Sequence, residues 1–134
     1  MSEVRSVVLV DAVRTPFGKA GSMYAGTRAD DLMVRAMRGL LERNPKVDPA
    51  AIDDVAIAAA TQTGDQGMNI GRSATLLAGL PQTVPGYSID RWCAGAMTAT
   101  TTVAGAIAMG AIDIAIAGGV EHMGNHPMGE LMDP

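Results

Sequence analysis

Cys93 is the single cysteine of the chain and stands in "SIDRWCAGAM", between a short apolar stretch and a long uncharged run. A thiol in the first turn of a helix that directly follows a strand meets the partial positive charge and free peptide N–H groups of the helix start. Those groups favour the thiolate, the nucleophilic form. The same position also suits a small buried hydrophobe, and placement alone leaves both readings open. Asp90, three residues earlier, would cap that helix with its carboxylate and, as an anion, would oppose the thiolate. Glu121, His122 and His126 carry metal-ligand atoms, with the imidazoles four residues apart. Gly124 and Pro127 break a helix at that point, so the expectation is a loop with two solvated or hydrogen-bonded imidazoles and no metal.

Other common sites fail on spacing. No two glycines stand in a G-x-G arrangement, which removes the dinucleotide fingerprint. Gly18-Lys19 lacks the upstream glycine of a phosphate-binding loop. Ser88, in "GYSID", misses the second glycine of a hydrolase nucleophile elbow.

The elements that must position Cys93 alternate along the chain. "SVVLVDAV" (6–13) is β-branched and almost wholly apolar, the pattern of a strand covered on both faces. "RTPFGKAGSMYAGTRA" reads as an ordered loop. From Asp30 to Arg43 the residues Leu32, Met33, Ala36, Met37, Leu40 and Leu41 recur at helical spacing, with Asp31 and Arg35 as an i,i+4 pair on the other face. Asp48 and Pro49 start a short helical turn. "DVAIAAAT" (54–61) is a second buried strand. Asn69 caps a helix running through Leu77 and ending near Gly79 and Pro81. "PGYSID" (85–90) is a short third strand, Cys93 to Met109 a long helix stopped by Gly110, and "IDIAIAGG" (112–119) a fourth strand. This alternation is the α/β signature and predicts a mostly parallel sheet with right-handed crossovers. The chain stops after a loop with no terminating element, as a piece of a longer protein would.

Composition sets the remaining limits. With 48% apolar and only 3% aromatic residues, the core must be packed from small and aliphatic side chains, with methionine as filler. A formal net charge of −4, with no basic cluster, argues against nucleic acid as a partner. One cysteine excludes an internal disulfide framework and suits the cytoplasm. The N-terminus has no signal peptide, since Asp11 cuts its short apolar run. The uncharged run Trp92–Ile112 is long enough to cross a membrane, but it is rich in Thr, Ala and Gly, so a buried core helix is expected instead.

Four segments, in order, resemble the thiolases, the acyl-CoA acetyltransferase family: "VRTPFGK", "GDQGMNIGRSATLLAGLP", "IDRWCAGAM" and "AIAGGVEHMGNHPMG". The resemblance implies a thiolase fold, two similar halves in a layered αβαβα arrangement with a buried central helix. Residues 1–134 would be the N-terminal domain, truncated, with the C-terminal domain absent. It implies that Cys93 takes an acyl group as a thioester, in a ping-pong exchange between acyl-CoA or 3-ketoacyl-CoA and coenzyme A. It further implies coenzyme A thioesters as substrates with no bound cofactor, and a homodimer or tetramer. The family's activating histidine, its second cysteine and the histidine at the thioester oxygen belong to the second half, and His122 and His126 do not match them. "TQTGDQGMN" resembles the loop that reaches toward the partner's site. Asp90 stands where the family usually has a small neutral polar residue, and Gly95 where it usually has Ser or Thr. The alternatives are a non-catalytic acyl-CoA-binding or assembly module built on a thiolase half, and an unrelated cysteine hydrolase. The latter is disfavoured because the chain supplies no well-placed base.

Overall fold

A computed structural model describes residues 4–129, which form a parallel α/β layer. Helix α1 covers Ala29–Arg43, β1 Asp54–Ala58, α2 Ile70–Ala78, β2 Tyr87–Ile89, α3 Gly95–Ala108 and β3 Ala115–Gly119. Single 3-10 turns lie at Pro49–Ala51, Gly64–Gln66 and Trp92–Ala94. The starts and stops follow from local chemistry. Asp48 accepts the Ala50 N–H, and Asn69 accepts the Arg72 N–H at the start of α2. Gly79, at φ +93°, ends α2 in the left-handed conformation that glycine adopts without a Cβ penalty.

The strand order is β2-β1-β3, all parallel, with Ile57 beside Ser88 on one side and beside Gly118 on the other. The chain therefore steps from β1 to β2 in one direction and from β2 to β3 in the other. Crossovers of one hand must then lie on opposite faces of the sheet. Packing agrees. Val55, Ile57 and Ile116 join Met33, Met37, Ile70 and Ala74 of α1 and α2 in one core. Ala56 on the opposite face joins Ala99 and Val103 of α3 in a smaller one. The alternation along β1 is the two-residue period of a strand buried on both sides.

Four expectations are corrected. Residues 6–13 do not form a strand: Val8, Leu9 and Val10 are 75–82% exposed. The composition is that of a strand, but a strand also needs a neighbouring ladder, and this segment has none among the described residues. It is held at its ends instead. The Arg5 N–H donates to the Ala108 carbonyl and its guanidinium pairs with Asp113, while the Asp11 carboxylate accepts from Arg43 and Asn44 at the end of α1. An open cleft of about 700 Å³ separates Leu9–Ala20 from β3 and α1. Second, α3 is buried only along Gly95, Ala99 and Val103, because the described residues supply one layer against it and nothing beyond. Third, methionine is mostly not core filler. Met33 and Met37 are buried, whereas Met23, Met68, Met97, Met109, Met123 and Met128 sit on loops and outward faces. Fourth, Asp31 and Arg35 form no ion pair. Both are solvated, and it is Asp30 that is paired, with Arg28. No helix of the described residues is long and apolar enough to cross a membrane.

Candidate active site

Because all three strands are parallel, the loops after them gather at one end of the sheet, and β1, whose neighbours are reached in opposite directions, marks a switch point there. Such switch points form crevices where α/β proteins place their sites. The loop after β2 carries Cys93. It lies in the 3-10 turn Trp92–Ala94, one turn ahead of α3, with its thiol exposed and free. The reading of Cys93 as a small buried hydrophobe is thus not met, since the outer face of α3 and the Cys93 turn both stand open here.

The turn is tightly made. Trp92 has φ +48°, a left-handed backbone that bulky residues rarely adopt. Asp90 accepts the Trp92 N–H at 3.2 Å, and the Ala94 N–H closes the turn onto the Arg91 carbonyl at 3.0 Å. The Arg91 guanidinium donates to Thr98 Oγ1 at 3.2 Å. Asp90 therefore serves the first residue of the 3-10 turn, from one position before that turn's N-cap Arg91, and not α3, whose own N-cap position is Ala94 with no side-chain acceptor. The intervening turn is the reason: it moves the first turn of α3 beyond the reach of the carboxylate. Gly95 then lets α3 press onto the sheet. A Cβ at Gly95 would lie 2.6 Å from the Ala58 Cβ, so the absent side chain is what permits this approach.

A polar network ties the other two loops together. Gln66 is fully buried. Its Nε2 donates to the Thr61 carbonyl and to Glu121 Oε1, and its Oε1 accepts the His122 N–H. Glu121 Oε2 accepts the Ala60 N–H at 2.7 Å, joining the carboxyl ends of β1 and β3. His122 Nδ1 accepts the Asn125 N–H, so Nε2 carries the proton and donates to the Tyr24 carbonyl at 2.9 Å. His126 Nε2 pairs with Asp65 Oδ1, and the other Asp65 oxygen accepts the Ala29 N–H at the start of α1. Burial alone would raise the Asp65 carboxyl. The bonds from His126 and Ala29, with the charges of His126 and Arg28, outweigh it and hold the group below the ordinary carboxylate range.

These partners answer the questions the sequence raised. Both imidazoles sit in a turn and are hydrogen-bonded, as expected, and neither bond is to Cys93. No group of three or more His, Cys, Asp or Glu among the described residues is arranged to hold a metal. Gln66 escaped the sequence reading, because a glutamine among Thr, Gly and Asp looks like surface loop. The left-handed Trp92 escaped it too, and no residue-type signal marks it.

The chain is thus a parallel α/β layer that presents a free thiol on a tight strand-to-helix elbow, at the switch point of its sheet. Residues 7–134 match the family description "Thiolase, N-terminal domain", and the chain belongs to the thiolase family. It is 46% identical over 131 residues to a 3-ketoacyl-CoA thiolase of Aliivibrio salmonicida, an alignment covering 97% of this chain and 34% of that protein. It is 48% identical over 123 residues to a beta-ketoadipyl-CoA thiolase of Pseudomonas aeruginosa, covering 92% and 31%. The crystal structure of the Bacillus anthracis acetyl-CoA acetyltransferase superposes with a TM-score of 0.86 at 34% identity, over 92% of this chain and 31% of that one. The chain thus spans about a third of the length of the relatives it matches.

Proposed function

We propose that these residues form the N-terminal, nucleophile-bearing part of an acyl-CoA thiolase, with Cys93 as the acyl-thioester nucleophile. In the loading step the bond between Cys93 Sγ and the acyl carbon forms as that carbon's bond to the coenzyme A sulfur breaks, and the thiol proton leaves with coenzyme A. One thioester replaces another, so the step is nearly balanced and reversible, and dividing the exchange avoids a three-body encounter. The observation that carries the reading is the exposed thiol on the Trp92–Ala94 turn, in a chain of this family.

The described residues offer no base bonded to that thiol, so activation is assigned to the remainder of the protein. The substrates are coenzyme A thioesters of short-chain or fatty-acid metabolism, the setting is cytoplasmic, and the assembly is a homodimer or tetramer. Residues 1–134 are the N-terminal domain, which a second domain completes. The test is to incubate the full-length protein with labelled acetyl-CoA and map the label by peptide mass spectrometry. Label on the Cys93 peptide, lost in Cys93→Ala, is the expected result. Turnover without acylation at Cys93 would refute the assignment.

A further inference from the structure

We infer that Asp90 is a positioning residue for Cys93: by accepting the Trp92 N–H, its carboxylate holds the left-handed backbone that aims the thiol at the acyl donor. The inference rests on the reading of Cys93 as nucleophile and adds a residue to it.

The geometry leads there in steps. The end of β2 is fixed, because the Ala59 N–H donates to the Ile89 carbonyl at 3.3 Å. The start of α3 is fixed too, because a Cβ at Gly95 would already overlap Ala58 and one at Gly119 would lie 3.2 Å from the Ala96 Cβ. Between these anchors Asp90, Arg91 and Trp92 must reverse the chain. They do so with Trp92 at φ +48°, a conformation that persists only where its surroundings over-determine it. Trp92 itself contributes little to that, since its side chain is 69% exposed and not packed into a core. The hydrogen bonds therefore carry the turn. Arg91 is engaged with Thr98, the Ala94 N–H with the Arg91 carbonyl, and the Trp92 N–H with Asp90. Two bonds are made at the strained residue itself: the Gly95 N–H donates to its carbonyl from the α3 side, and Asp90 accepts its N–H from the strand side. Without the Asp90 bond nothing holds the N–H side of Trp92, about which φ turns; that φ can then relax toward an ordinary value, and Cys93, the next residue, shifts with it.

A positioning role separates two measurements on the full-length protein. Acylation of Cys93 by acetyl-CoA needs the sulfur aimed at a bound carbonyl, whereas alkylation by iodoacetamide, small and freely diffusing, needs only an accessible thiol. Asp90→Ala is expected to slow acylation by on the order of 10²-fold, the scale of a misplaced reacting group, while alkylation, followed at a pH alkaline enough to ionise the thiol in every variant, keeps its wild-type rate. Asp90→Asn keeps an acceptor oxygen at the same place and is expected to acylate like wild type. If Asp90→Ala does not fold, as circular dichroism will report, the Asn variant decides alone. The inference is overturned if Asp90→Ala acylates normally, if it loses acylation and alkylation together, or if Asp90→Asn is slowed. A wild-type protein that never acylates at Cys93 refutes the underlying assignment as well, and that arm is read first.

Discussion

Replacing Gly95 by alanine places a methyl carbon 2.6 Å from the Ala58 Cβ, both on rigid elements. Carbon atoms in contact prefer ~3.5–4.0 Å, so the first turn of α3 and β1 must part by about 1 Å. Neither side has a flexible side chain to yield, because Ala58 is a buried strand residue paired with Ile89 and Gly119. Overpacking of this kind costs about 1–3 kcal/mol, and the helix-forming gain of alanine over glycine returns about 1 kcal/mol, leaving a net loss of up to about 2 kcal/mol. Ala58→Gly alone loses a buried methyl and stiffens nothing, at a cost of about 1 kcal/mol. Together the two changes remove the overlapping pair, so their combined cost is expected to fall short of the sum by about 1–3 kcal/mol. Urea unfolding followed by far-ultraviolet circular dichroism measures all four corners of the cycle. Additivity within about 0.5 kcal/mol, the behaviour of independent sites, would refute the close-approach argument.

Gln66→Ala is expected to destabilise the fold by about 1–3 kcal/mol, because the His122 N–H loses its acceptor and Glu121 loses a donor at a buried site; a urea midpoint unchanged from wild type would contradict this. The Asp65 carboxyl is depressed in the folded chain, so its contribution is complete above its ordinary value of ~3.9 and is lost as pH falls through the lowered folded value. Asp65→Asn is accordingly expected to lower stability at neutral pH and to flatten the acid limb of the stability–pH curve, as thermal melts across an acid series will measure.

Much of this fold is written locally. The caps Asp48, Asn69 and Gly79 stand where the sequence put them, and the expected strands at 54–61, 85–90 and 112–119 became three shorter parallel strands at 54–58, 87–89 and 115–119. These signals work because each depends on neighbours a few residues away. The segment 6–13 shows where such signals stop: its β-branched composition is real, but pairing is a tertiary event that composition does not report. The position of Cys93 after a strand and before a helix was legible in the same local way. Its openness was not, because burial of a helix face depends on what packs above it. The network of Gln66, Glu121 and His122 joins residues more than fifty apart, so no spacing rule reaches it.

Trp92 is the chain's single tryptophan, and it lies one residue from Cys93 on the strained turn, with most of its side chain in solvent. The protein therefore carries an intrinsic fluorophore at its candidate nucleophile. Excited selectively over the two tyrosines, the indole reports on the elbow and on little else. Because it is already hydrated in the native state, its emission barely registers global unfolding. Occupation of the neighbouring sulfur, or closure of another protein surface over it, would instead shift the spectrum directly. The same exposure that makes this tryptophan a poor gauge of stability makes it an optical probe of events at the thiol, with no label to attach.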